Sequence, residues 1–433
     1  MTLFSKMALR NLWKNKRRSF STGIAIIAGF TGLCLLGGYI IYVEHFMRVS
    51  SVYVNHTGHI AIYKKGGVDG FYNNPRKYHL SANDIQKVRE IVAQEPAVEF
   101  TTPILQGMGL LSNGNKSVPV VAFGINPADE KRIQSHPQVA TWTHELVPPA
   151  NEPSIKDAEG ALAETISVTK QLGTLVGRKA PFDKLSANER DVQLAARTFE
   201  GDLNAVNANL GFKHTTGMMM AEDTSLVAPL SVLQNLYATD GATYLAVYLN
   251  PEANVSGTMK RLQEKIDAAG LDLQTIPFND DAIGLFYVGT LGFLYIMAGF
   301  FIFLIFSAVA LSIVNSMTIG ILERVREIGT LRAIGFTNAQ TAWLFTLESL
   351  FLTAISLCVG YVLAQAMAGT VNSMNIRFDP PGIAGDMQFV MKPDTWFCAL
   401  LAIPIMIICL ICAYIVSKKL VNKPIIQLLQ QAN

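Results

Sequence analysis

ERVREIGTLRAIG, residues 323–335, is a short, strongly charged stretch set between two long apolar segments. No charged residue occurs from Ala282 to Leu322, and the apolar run resumes near Ala339. A compact amphipathic helix held between two membrane spans is what a membrane protein needs if something on the cytoplasmic side is to push on it.

Working outward from this stretch, the chain of 433 residues is half apolar, and the apolar residues are unevenly spread. Four segments carry little or no charge: 19–43, 282–322, 339–371 (interrupted by Glu348) and 395–417. Each exceeds the roughly 20 residues that a helix needs to cross about 30 Å of hydrocarbon. The second would reach about 60 Å as a helix and should project beyond the bilayer as a stalk.

Basic residues beside the spans set the expected orientation. Lys6, Arg10, Lys14, Lys16, Arg17 and Arg18 precede the first span with no acid among them. Arg324, Arg326 and Arg332 lie between the second and third, and Lys418, Lys419 and Lys423 follow the fourth. All three segments belong in the cytoplasm, which places both termini inside. The expected organisation is a cytoplasmic amphipathic helix over 1–18, a first span over 19–45, and an extracytoplasmic domain over 46–281. A second span with stalk covers 282–318 and a cytoplasmic segment 319–338. A third span (339–371), an outer loop (372–394), a fourth span (395–417) and a cytoplasmic tail (418–433) complete it. The first span is read as a retained anchor, since its apolar run is long for a signal peptide and no clear small-x-small cleavage site follows. The fold class is therefore a membrane protein with four transmembrane α-helices and a large mixed α/β domain between the first two.

Cys34, Cys358, Cys398, Cys409 and Cys412 all fall in the spans, which leaves neither a disulfide framework nor a CxxC metal pattern. Ala25/Gly29 and Ala28/Gly32 are small residues four apart in the first span, a candidate dimer seam. In the external region, 58–64 alternates as a strand. Residues 81–94 read as a helix with Ser81 as N-cap and Asp84 closing an approximate capping box. The runs 100–111 and 117–125 read as a hairpin about Asn113-Gly114. Residues 224–229, 230–237 and 243–249 give strand, helix, strand, and 252–269 is a helix stopped by Gly270. The poorly patterned stretch 129–197 is expected to hold helices and loops.

No Walker A sequence occurs, so the chain is not expected to hydrolyse ATP, and neither a Ser/His/Asp order nor an HExxH pattern stands out. His56 and His59 are close in sequence, but one pair on a strand is poor ligand geometry, and no metal site is assigned. Met218, Met219 and Met220, with Met108, read either as core packing or as an adaptable surface for greasy substrates. Glu348 is an ionisable group in a span, hence a functional candidate by default; its expected partners are Arg326 or Arg332, in a structural or coupling role. Within 323–335, Glu323 can pair with Arg326 and Arg324 with Glu327 on a solvated turn. The sharper reading is a docking helix for a cytosolic motor.

The segment ERVREIGTLRAIGFTNAQTAWLFTLESLFLTAISLCVG, residues 323–360, resembles the coupling helix and following span of the FtsX-like permeases of ABC transporters. That superfamily includes MacB and the lipoprotein-releasing LolC/LolE subunits. MALRNLWKNKRRS, residues 7–19, is similar to the amphipathic helix that leads into the family's first span, and the span order agrees. Residues 58–65 and 110–127 look more like the LolC/LolE-type branch. The resemblance implies a mechanotransmission device: two permease chains, as a homodimer or heterodimer, with a cytosolic ABC ATPase dimer that holds the ATP and Mg, and no cofactor in this chain. Glu323, Arg324, Arg326, Glu327, Gly329 and Arg332 would contact the ATPase. The cargo would be a lipoprotein or another amphiphile released from a bacterial inner membrane. Two further readings follow from the same resemblance: MacB-like efflux of peptides or toxins with a periplasmic adaptor, and FtsX-like signalling to an external partner without transport.

Overall fold

The computed structural model describes residues 10, 16–140, 165–179, 182–384 and 387–422. Most of the amphipathic helix expected over 1–18 and most of the tail 418–433 fall outside the described residues. The chain divides into two compact units: residues 1–43, 292–376 and 389–433 form one, residues 44–291 and 377–388 the other. Helices of eight residues or more are α1 (Lys16–Val49), α2 (Ala82–Val92), α3 (Pro127–Gln134), α4 (Leu230–Tyr237), α5 (Val255–Ala268), α6 (Asp281–Glu323), α7 (Val325–Ala333), α8 (Asn338–Ser373) and α9 (Thr395–Val421).

Four of these, α1, α6, α8 and α9, are long and apolar enough to cross a bilayer. The helical unit is built around a core of α1 (Ile26, Phe30, Cys34), α6 (Val309, Ile313, Met317, Ile321), α8 (Phe345, Leu357, Ala364) and α9 (Ile405, Cys409, Ala413). Small residues let the helices approach closely. A Cβ added at Gly29 would lie 2.8 Å from Ile305 on α6, and the Thr31 hydroxyl donates 3.0 Å to the Gly360 carbonyl of α8. Gly29 is thus taken up by a contact inside the chain and Ala25 is half-buried, whereas Ala28 and Gly32 stay exposed. Of the candidate dimer seam, only the Ala28/Gly32 half is open. The outward face of α6 is strongly apolar at Phe293, Ile296, Phe300 and Phe303, which suits a helix facing lipid.

The other unit is a mixed α/β domain. Its strands are β1 (Ile60–Lys64), β2 (Val98–Ser112), β3 (Ser117–Ile125), β4 (Thr165–Val168), β5 (Asp191–Arg197), β6 (Leu203–Lys213), β7 (Ser225–Pro229), β8 (Tyr244–Leu249) and β9 (Leu273–Pro277). They form one sheet in the order β3-β7-β4-β6-β5-β2-β8-β1-β9, and an extra β2–β3 pairing closes the first six into a ring. Strand β2 belongs to two lobes. Its first half pairs antiparallel with β8, its second half with β3 and β5. In one lobe, β1–α2–β2 and β8–α5–β9 interleave as a split βαβ pair, with Val88 of α2 and Leu262 of α5 buried against Ile62 and Val247. In the other, the ring encloses Leu111, Val120, Ile166, Leu194, Leu210 and Leu226 and is covered by α4.

The local expectations for this domain hold at most elements. Ser81 and Asp84 form a full capping box, the hairpin turns at Asn113-Gly114, and Gly270 ends α5 with φ +66°. The stretch 129–197 needs correction: it contributes the strands β4 and β5, in addition to helix α3. In β5, Val192, Leu194 and Ala196 alternate inward against Asp191, Gln193 and Arg197, a period of two spread over short, partly polar residues. Part of the outer loop also joins this unit. The strands β10 (Arg377–Phe378) and β11 (Met387–Gln388) pair, and Met218 bridges to Ile383. Three of the four singled-out methionines are not core: Met108, Met219 and Met220 are exposed, while Met218 is half-buried.

Candidate functional site

The charged stretch folds as α7, a short helix between two long ones. Arg324 stands at its N-cap with φ −107° and ψ 22°, so the chain breaks from α6 there instead of continuing. At the other end Gly335, with φ +103°, turns the chain, and Thr337 and Gln340 form a capping box that starts α8. Both turns follow from local residues: a left-handed position that glycine adopts freely, then a hydroxyl N-cap.

Helix α7 has two faces. Val325 and Ile328 are buried, while Arg326, Glu327, Thr330 and, at the C-cap, Ile334 are exposed at the three- and four-residue spacing of one helical stripe; Glu323, also exposed, ends α6 just before it. Arg326 has no side-chain partner among the described residues. Gly329 and Arg332 are half-buried.

Arg324 behaves differently from the other charges of the set. Its side chain is 6% exposed, and its guanidinium donates to Glu348 of α8 through both terminal nitrogens, at 2.8 and 3.1 Å. Glu348, at 3% exposure, is paired with Arg324 and not with Arg326 or Arg332, because its position near the start of α8 faces the α6–α7 junction. Arg324 also lies 3.9 Å from Glu327 and over the Phe345 ring. A two-pronged guanidinium–carboxylate pair fixes direction as well as distance, which a lysine could not do. At the C-terminal end of α7, Arg332 donates to the Val421 carbonyl, the last residue of α9. The short helix is therefore tied to α8 at one end and to α9 at the other, with an apolar face packed inward and a charged stripe left open.

Four histidines of the external unit serve other roles. His56 pairs with Glu130 at 2.6 Å, and the His59 ring accepts the Leu249 amide at 3.1 Å. His136 meets Glu99 at 3.2 Å, and His214 sits between the hydroxyls of Ser167 and Ser225 at 3.0 and 3.1 Å. Burial pushes His59 down to about 4 and His214 down to about 3. Burial alone would raise Glu130, but His56 and Gln134 outweigh it and hold the carboxyl below its usual range. Among the described residues no three His, Cys, Asp or Glu side chains are grouped to hold a metal ion.

Residues 299–425, which include α7 and both of its anchors, match the family described as FtsX-like permease C-terminal. This region is FtsX-like. Over 86 residues the chain is 28% identical to the ABC transporter permease YtrF of Bacillus subtilis (strain 168), a match covering 19% of this chain and 20% of YtrF. The chain thus matches about a fifth of that relative's length. Among solved structures, the periplasmic region of MacB from Actinobacillus actinomycetemcomitans aligns with 51% of this chain and 88% of its own, at 14% identity and a TM-score of 0.34. The extracellular domain of the noncanonic ABC-type transporter YknZ from Gram-positive bacteria aligns with 50% of this chain and 98% of its own, at 12% identity and a TM-score of 0.32. Likeness at that level carries no functional weight, and the external unit's fold rests on its own strand pairing. Sequence reasoning located the FtsX-like region's charged stretch but missed the Arg324–Glu348 pair. The available signal was spacing: Arg324 is the first arginine after α6, and so the one nearest the apolar interior.

Proposed function

We propose that this chain is the permease subunit of an ABC transporter and that its work is to transmit force. A separate cytosolic ATPase dimer, holding ATP and Mg, docks on the exposed charges here, Arg326 and Glu327 of α7 with Glu323 at the end of α6. Arg324 passes the displacement to α8 through Glu348, and Arg332 passes it to α9. Both termini lie in the cytoplasm of a bacterial inner membrane, a second permease chain completes the complex, and the cargo is a lipoprotein or another amphiphile handled on the outer side.

The observation that carries this reading is the double anchoring of α7. A solvated turn has no need of a buried, two-pronged ion pair at one end and an arginine–carbonyl bond at the other. Such ties make the short helix move with its neighbours as one body, while its charged stripe offers a partner both signs of charge. The match to the FtsX-like family over 299–425 supports the same reading.

The test is charge reversal at Arg326→Glu with Glu327→Arg in the complex purified with its ATPase. Both side chains are exposed, so the fold should survive. Loss of permease-dependent ATPase stimulation, with the melting temperature unchanged, is the expected result. Full stimulation in the double variant would refute docking at this stripe.

A further inference from the structure

The external unit contains an open cavity of about 650 Å³ where β2 leaves β8 and turns toward β5. Its floor and walls are apolar and aromatic: Tyr72, Met108, Leu110, Phe199, Leu203 and Tyr237. Several are left facing solvent, Leu203 at 83% exposure and Met108 at 59%. Clustering of exposed large apolar side chains around one concavity marks a binding surface more than chance exposure does. The volume lies in the range of small-molecule sites, which are mostly apolar with a few placed polar groups.

The floor is shaped by packing. A Cβ at Gly107 would strike the Tyr237 ring at 2.3 Å, so glycine there lets the ring lie against β2, where its hydroxyl donates to the Met108 carbonyl at 3.3 Å. Phe199 stacks on Tyr237 with centroids 5.6 Å apart and meets Phe71 edge-on at 5.7 Å. At the edge of the cavity Glu200 pairs with Arg76 at 2.9 Å, both side chains being exposed.

That pair decides the electrostatics. The charged residues lining the cavity are Glu200 and Arg197. Glu200 is neutralised by Arg76, whereas Arg197 has no partner among the described residues. A long apolar floor with a single uncompensated guanidinium at its lip fits a ligand with one tail and one acidic head.

We propose that this cavity binds a single-chain anionic amphiphile, its tail along Met108, Leu110 and Leu203 and its acidic head on Arg197. Taken as the cargo site, this rests on the transport reading above. Taken as a binding site, it stands alone, and its test needs no ATPase, so either can fail without the other.

The test uses the full chain in lipid nanodiscs with a photoactivatable dodecanoate carrying a diazirine on its tail, labelled peptides being mapped by mass spectrometry. Label is expected on the peptides containing Met108 and Leu203, saturable and competed by unlabelled dodecanoate. Dodecanol should compete about tenfold more weakly, the worth of one charge-assisted contact. Arg197→Glu should abolish that preference for the acid while leaving competition by the alcohol unchanged. Met108→Trp should fill the floor and reduce labelling by either head group. Labelling confined to α6 and the other bilayer-facing helices, equal competition by acid and alcohol in the unaltered chain, or unchanged labelling in Met108→Trp would each overturn the proposal. Arg197 and Met108 are exposed side chains, so unchanged melting temperatures separate loss of binding from loss of fold.

Discussion

Arg324 and Glu348 show how the same residue types take opposite roles within one short stretch. Arg326 and Arg324 are two positions apart, yet one is solvated and the other is locked to a buried carboxylate. Removing one member of a buried pair strands the other charge, at a cost of about 3–5 kcal/mol, whereas replacing both with apolar groups of similar volume is often neutral. Glu348→Gln and Arg324→Met should each lower the melting temperature of the solubilised chain strongly. The double variant Arg324→Met with Glu348→Met should recover most of that stability yet lose ATPase stimulation. Recovery of stimulation together with stability would reduce the pair to a structural filler. A second residue-scale prediction concerns His59 and His214, both held below their ordinary value by burial. The unfolded chain binds protons on these rings at a higher pH than the folded chain does. Their contribution is therefore whole above about 6.5 and is lost as pH falls toward 4, by about 1.4 kcal/mol per pH unit for each ring. Glu130, whose carboxyl is depressed, loses stability in the same direction at lower pH still. Melting of the external unit followed from pH 7.5 to 5 should shift steadily downward, and a flat profile would contradict this.

Among the elements, α1 depends most on what it lacks. A Cβ at Gly38 would fall 2.6 Å from the Pro393 nitrogen, and one at Gly37 would lie inside the Phe397 ring. The segment leading into α9 lies directly on α1 here, and the Lys392 amide donates 3.3 Å to the Gly38 carbonyl. Backbone cannot retreat as a flexible side chain can, so Gly38→Val should destabilise the helical unit by several kcal/mol, in the upper range for overpacking. Gly32→Val, on the open face of the same helix, should leave the monomer's melting temperature nearly unchanged. Equal loss at both positions would mean that helix propensity, and not contact, sets the cost. Much of this level was legible in the sequence. The four apolar helices, the α2 capping box, the Asn113-Gly114 hairpin and the Gly270 stop all rest on local periodicity or on one residue's backbone preference. The strands β4 and β5 were not, because short strands with polar outward positions resemble loops until their partners β6 and β2 are known.

At the scale of the whole molecule, the outer loop is the least expected feature. Residues 377–388 join the external unit: the Met219 amide donates 3.0 Å to the Gly382 carbonyl, and Ala384 donates back to Gly217 at 3.3 Å. Replacing 377–388 with a Gly/Ser linker should therefore speed amide exchange at residues 217–219, with little effect on β1 or β8. Unchanged exchange there would show that the loop lies on the unit without supporting it.

The sequence by itself determined the four apolar helices, the place of the large polar domain between the first two, and a charged helix within 319–338, because charge, length and period are local properties of the chain. Only the tertiary structure decided which arginine meets Glu348, that β2 is shared by two lobes, that Gly29 is used up inside the chain, and that Arg197, with no partner among the described residues, lines an apolar cavity. Each of these depends on which distant residues share a surface, and side-chain pairing across tens or hundreds of positions leaves no period in the sequence to read.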